Sequence, residues 1–214
     1  MHGWTLFSSG LCLFFGLHLV GVSRLRDRIV TAIGERPWKG LFALLALAGL
    51  AAIVIGFRQT PYAPILYTPP LWAKYLPLLA MPFALIGFVG TYTSKDIKRI
   101  TRHPMLWGVA LWAASHLAAN GTAPDVVLFG SFLVFSLIMQ PLADAKAARK
   151  DPKSWDETKR TTSTLPYLAI LQGRAGPKQG DFAVKAALHG LAAYAVVLVI
   201  HAWLLGVAIA PSLP

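Results

Sequence analysis

Cysteine is almost missing from this chain: Cys12 stands alone among 214 residues. No intrachain disulfide and no cysteine-only metal site can form, and thiol usage says nothing of the redox compartment. Cys12 lies in an apolar run and reads as a small hydrophobe. Charge is scarce too. Asp, Glu, Lys and Arg supply 14% of the residues, against roughly 25% in soluble domains, which excludes disorder and an ordinary soluble fold. Only nine residues are acidic, and no Asp or Glu lies at membrane depth, so a buried Ser-His-Asp triad or carboxylate pair for hydrolysis has no candidates. Lys and Arg are absent ahead of the first apolar stretch, and no small-x-small cleavage signal follows it, so a retained first span is expected rather than a cleaved signal peptide. Internal repeats and low-complexity tracts are absent as well.

What the chain does have is apolar length. Hydrophobic residues make up 56%, enough for five or six crossings of a ~30 Å hydrocarbon core at ~20 residues each. The expected fold is all-α: a single-domain polytopic membrane bundle of about six helices, with a cytoplasmic loop between the last two. Apolar runs between charges place the spans at Gly3–Ser23, Trp38–Phe57, Leu71–Thr93, Pro104–Ala119, Pro124–Ala143 and Ala183–Ala208, the fourth being short.

The net charge of +11 is explained by where the cations fall. Arg24, Arg26, Arg28, Arg36 and Lys39 flank the first connection, and Lys95, Lys98, Arg99 and Arg102 the third. Eight more lie between Lys146 and Lys178, with Lys185 just inside the last span. Eighteen of the 20 cations thus share one side, leaving Arg58 and Lys74 on the other. Lys and Arg near span ends are retained on the cytoplasmic side, so both termini are expected outside, in the periplasm of a bacterial inner membrane. Anionic lipid headgroups account for the basic surface without nucleic acid. The Pro- and Tyr-rich Arg58–Pro70 connection is expected to form an irregular outer cap. Asp144–Phe182 should hold a short helix near Ser154–Thr162 and a surface-lying or re-entrant segment at the cytoplasmic mouth.

Histidine is the ionisable type left inside the spans: His18, His116, His189 and His201, with His103 at the start of the fourth. An intramembrane histidine needs a partner and is a functional candidate by default; the plainer alternative is a helix-to-helix hydrogen bond. His18 follows Phe14 and Phe15 and lies near Gly16 and Gly21. His116 comes four residues after Trp112, among small residues. Flat aromatic walls, room and a neutral imidazole suit an axial ligand of haem iron. By depth, His18 lies ~8 Å from its helix end, His189 ~9 Å and His116 ~18 Å, which pairs His18 slightly better with His189. His201, beside Trp203, reads as interfacial. A second candidate is Lys98-Arg99-Ile100-Thr101-Arg102-His103-Pro104. Pro104 suits a first helical turn, so free amides would join Arg99 and Arg102 in an anion site for haem propionates, a lipid phosphate or a cofactor carboxylate. Its plainer reading is positive-inside anchoring.

Several segments occur together in order: Gly16-Leu17-His18, Leu25-Arg26-Asp27, Ile33-Gly34-Glu35-Arg36, then Ile100-Thr101-Arg102-His103-Pro104 with Gly108, Trp112, His116 and Asn120-Gly121, and Lys159-Arg160-Thr161, Pro166 and Gln172-Gly173. The set resembles the NnrU family, whose eukaryotic relatives are plastid zeta-carotene isomerases. The resemblance implies haem b held by two histidines at the positions of His18 and His116, which outweighs the depth argument for His189. Cofactor contacts from Arg99, Arg102, His103 and Trp112 are expected with it. Ala113 stands where the isomerase motif has a cysteine three residues before the second histidine, so redox-dependent ligand exchange by that route is not expected. The NnrU branch is linked to denitrification and nitric oxide metabolism. The expected function is therefore a redox role there, with a redox partner, or redox-gated isomerisation of an apolar polyene or lipid. Two alternatives stand beside it. Arg102-His103-Pro104-x-x-x-Gly108 is similar to membrane methyltransferases of the isoprenylcysteine type, which bind S-adenosylmethionine, although Leu106 replaces their usual Tyr. A non-enzymatic electron-relay or assembly subunit is the other.

Overall fold

The computed structural model describes residues 2–60, 63–176 and 182–205. Pro61, Tyr62, the end of the loop expected to be cytoplasmic, around Lys178, and residues 206–208 of the last expected span lie outside them. Apart from one isolated β-bridge, the described residues form helices and their connections. Five helices are long and apolar enough to cross a membrane. The chain divides into two compact units, Met1–Pro64 and Ile65–Pro214.

In the first unit α1 (His2–Val22) and α3 (Glu35–Arg58) pack side by side, joined by the short α2 (Arg24–Ile33). The two long helices run antiparallel and very close, because glycines line their contact. A Cβ on Gly56 would stand 2.3 Å from the Phe7 amide nitrogen, and one on Gly10 would stand 2.6 Å from that of Ile53. Small residues let helix backbones approach where lipid offers no hydrophobic driving force between helices. The sequence expectation left 24–37 as a connection, since Arg24, Arg26 and Arg28 interrupt the apolar run. In fact it is helical: Ser23 caps it by accepting from the Leu25 amide at 3.1 Å, and Gly34 at φ 90° turns the chain into α3.

In the second unit a 3₁₀ turn (Leu71–Tyr75) leads into α4 (Leu76–Thr93), followed by α5 (Ile97–Ile100), α6 (Pro104–Ala119), α7 (Ala123–Lys150), α8 (Pro152–Thr161), α9 (Leu168–Leu171) and α10 (Phe182–Leu205). Helix α4 is central, flanked by α10 and α6, and α7 packs on α6. At 16 residues, α6 is ~24 Å long, short of a ~30 Å core. It packs antiparallel on α7 as a hairpin: Trp112 and His116 of α6 lie against Phe129, and His103 reaches Asp144. Helix α7 continues seven residues past the expected Ala143 end, because Asp144–Lys150 is rich in Ala and holds no breaker before Asp151-Pro152. The expected short helix after it is α8.

The Asn120–Thr122 turn of that hairpin is covered by residues 65–67. The Leu66 amide donates to the Gly121 carbonyl at 2.8 Å and the Tyr67 hydroxyl to the Asn120 carbonyl at 2.6 Å, while Ile65 bridges Thr122. Gly121 is obligatory there, since a Cβ would overlap the Tyr67 carbonyl oxygen. Burial, helped by Asp125, pushes the Tyr67 phenol above its ordinary range, keeping it a proton donor.

Candidate functional site

Within the first unit, His18 lies half-buried on α1. Its Nδ1–H donates to the Phe14 carbonyl at 2.7 Å. The ring lies 4.3 Å from the Phe14 ring and 5.0 Å from that of Phe42, measured between centroids. Phe42 is contributed by α3, a neighbour that sequence spacing does not reveal.

Within the second unit His116 repeats the pattern. Its Nδ1–H donates to the Trp112 carbonyl at 2.9 Å. The ring is flanked by Trp112 at 5.8 Å and by Phe129 of α7 at 5.1 Å. Trp112 is itself held edge-on by Phe129 and Phe132 at 5.3 and 5.4 Å. In both histidines the proton therefore sits on Nδ1, so Nε2 carries the basic lone pair. This is the tautomer that a metal-binding imidazole adopts when a backbone carbonyl takes its other N–H. His189 makes the same local bond, to the Lys185 carbonyl at 2.7 Å, but its side chain is exposed. His201 comes within electrostatic range of His116. Ala113 is fully buried on α6. Among the described residues no group of three or more His, Cys, Asp and Glu side chains could hold a metal ion. That bears on an all-protein metal cage, whereas haem iron takes at most two protein ligands.

The Arg102-His103-Pro104 segment is built differently from the expectation of an open anion site. Its anion comes from the chain itself. Arg102 Nη1 donates to Asp144 Oδ2 at 2.5 Å and His103 Nε2 to Asp144 Oδ1 at 2.8 Å. Arg102 Nε donates to Thr162 Oγ1 at 3.0 Å, and the guanidinium lies 4.8 Å over the Trp155 ring. Three further bonds fasten the segment to the loop after α8: the Arg102 amide to the Ser163 carbonyl (2.7 Å), Thr101 Oγ1 to the Thr164 carbonyl (2.8 Å) and Trp107 Nε1 to the same carbonyl (2.7 Å). Burial pushes the His103 pKa below its ordinary 6.5, Asp144 opposes that shift, and Arg102 and Lys98 add to it. His103 is therefore neutral at pH 7 and donates to a carboxylate. Asp144 was read from sequence as the start of a loop, and no local spacing pairs it with residues 41 and 42 positions earlier. Arg99, by contrast, keeps a buried Nε with no hydrogen-bond partner among the described residues.

Comparison with known proteins adds the following. The family model described as NnrU protein matches residues 6–209. The 15-cis-zeta-carotene isomerase of Arabidopsis thaliana chloroplasts is 25% identical over 183 residues, covering 77% of this chain and 50% of that protein. Its Zea mays counterpart is 22% identical over 187 residues, with the same coverage. The chain thus spans about half the length of these curated relatives. No solved structure matches significantly.

Proposed function

Because this chain belongs to the NnrU protein family, we propose that it is an integral membrane protein that binds haem b and either isomerises an apolar polyene or serves a redox role in nitrogen-oxide metabolism with a redox partner. The observation that carries the reading is the shared build of His18 and His116. Each is an aromatic-flanked imidazole whose Nδ1–H is bound by the carbonyl four residues earlier, so each presents Nε2 as a base. These are the two residues that would hold the iron. A haem b with two nitrogen ligands supplies one-electron chemistry.

The chain's own residues do the rest. Phe14 and Phe42 beside His18, and Trp112 and Phe129 beside His116, would supply flat apolar walls, which suits a macrocycle or a polyene equally. Trp112 acts twice, fixing the His116 tautomer through its carbonyl and packing its ring against Phe129. Arg102 is spent on Asp144 and fastens the entry to α6, so Arg99 is the better cation for a propionate. The relatives' printed activity, 15-cis-zeta-carotene isomerisation, supports a polyene substrate. The charge distribution supports both termini in the periplasm of a bacterial inner membrane.

The test is the visible spectrum of detergent-purified protein, as isolated and dithionite-reduced. A low-spin b-type spectrum is expected, lost or converted in His18→Ala and in His116→Ala but kept in His189→Ala and His201→Ala. If His189→Ala abolishes it and His116→Ala does not, the ligand assignment is wrong. Metal analysis and calorimetry with S-adenosylhomocysteine on the same sample address the methyltransferase alternative. About one iron per chain with no binding is expected, and saturable binding without iron would overturn the haem reading.

A further inference from the structure

Helix α2 has three distinct sides. At 100° per residue, Arg26 and Val30 face one way, Leu25, Ile29, Ala32 and Ile33 a second, and Arg24, Arg28 and Thr31 the third. The first side is turned to the body of its own unit. Arg26 donates from Nη2 to both Glu35 carboxylate oxygens, at 2.7 and 2.8 Å, and is only 16% exposed, pinning α2 against the start of α3. The second side is apolar yet open: Leu25 is 50% and Ile33 45% exposed. The third carries two exposed guanidinium groups one turn apart, and neither Arg24 nor Arg28 has an ion-pair partner among the described residues. Asp27, next to this side, pairs with Arg26 at 3.4 Å; like charges at i and i+4 repel, and an anion close to both Arg24 and Arg28 offsets that repulsion.

The helix sits where the membrane-long α1 ends and the membrane-long α3 begins. An exposed apolar side next to a cationic side, at the end of two spans, is the arrangement of a helix lying in the bilayer interface. We propose that α2 is an in-plane interfacial helix whose Arg24–Arg28 pair binds the phosphate of an anionic phospholipid, with Leu25, Ala32 and Ile33 seated among the acyl chains of the same leaflet. The occupant is a lipid rather than a soluble anion because the apolar side borders the arginines. A free phosphate would leave Leu25 and Ile33 facing water. The inference is independent of haem.

Amide hydrogen exchange over 24–33 tests it, with the full chain in nanodiscs of phosphatidylcholine alone or in an equimolar mixture with phosphatidylglycerol. Exchange is expected to slow roughly thirtyfold in the mixture, with both arginines attracted to the anionic surface. The Arg24→Gln/Arg28→Gln variant should lose that slowing, and Lys74→Gln, far along the chain, should keep it. Equal exchange in the two lipids, or a lipid response retained by the double variant, would overturn the proposal. Inorganic phosphate slowing exchange equally in pure phosphatidylcholine would overturn the lipid as the occupant.

Discussion

Asp144 is the residue on which the cluster at the start of α6 turns. One carboxylate accepts from a guanidinium and an imidazole on the segment 41 and 42 residues earlier, and the Arg102 and Asp144 side chains are 11% and 19% exposed. Removing one partner of a buried pair leaves an uncompensated charge, so Asp144→Asn should lower stability by about 3 kcal/mol, measured by thermal unfolding in detergent. The pH dependence follows from His103. Its pKa is lower folded than unfolded, so the unfolded chain takes up a proton first as the medium acidifies. Its contribution is complete above about pH 6.5 and drains as pH falls below that value. Asp144 is what holds the shift in check; without it the folded His103 resists protonation further, and the acid-side loss should extend lower in the variant. Unfolding midpoints between about pH 5 and 8 read this directly; a variant whose acid limb matched the wild type would show that Asp144 does not act on His103. Gln140, buried to 2% exposure with an amide nitrogen lacking a hydrogen-bond partner among the described residues, lies one turn deeper and was not singled out by sequence spacing.

At the level of the helices, glycine decides how closely pairs approach. Alanine in place of a helical glycine ordinarily stabilises by up to about 1 kcal/mol. Gly40 of α3 has nothing within 4 Å of an added Cβ, so Gly40→Ala should raise the unfolding temperature. Gly56 and Gly108 should do the reverse, because the added carbon would stand 2.3 Å from the Phe7 amide nitrogen and 2.5 Å from the Ala84 carbonyl oxygen. Backbone atoms cannot swing aside, and overpacking of this kind costs about 1–3 kcal/mol. Melting curves for the three variants check both signs. The helical α2 shows why a charge-interrupted stretch misleads: the apolar pattern that marks spans rewards continuous runs, whereas an interfacial helix mixes arginine and leucine on adjacent sides. The lengthened α7 has the opposite cause, since polar residues ended the apolar run but not the helix.

For the whole molecule the placement of the cations sets the expected orientation. Eighteen of the 20 cations fall on one set of connections, and the six crossings expected from the sequence would return both termini to the other side. Cysteines introduced near Thr60 and Thr122, in a Cys12→Ser background, should react with an impermeant maleimide in intact cells. Reaction only after lysis would reverse the orientation and put the Asp144 cluster on the external face. The parity depends on whether the 16-residue α6, packed antiparallel on α7, crosses with it, and the labelling reads this directly.

The long apolar helices and their approximate ends were legible in the residues, because the free energy of placing a side chain in hydrocarbon or at a headgroup belongs to that residue and accumulates along the chain. Histidine at 18 and 116, each with an aromatic residue four positions before, was legible for the same reason: one helical turn is a local relation. Other features were decided by tertiary packing alone. Phe42 and Phe129 reach the two imidazoles from other helices, and Asp144 rather than a ligand neutralises Arg102. The Thr162–Thr164 loop closes over the start of α6. Each of these joins residues separated by tens of positions, and no local pattern says which distant carboxylate, ring or carbonyl the packing will bring within reach.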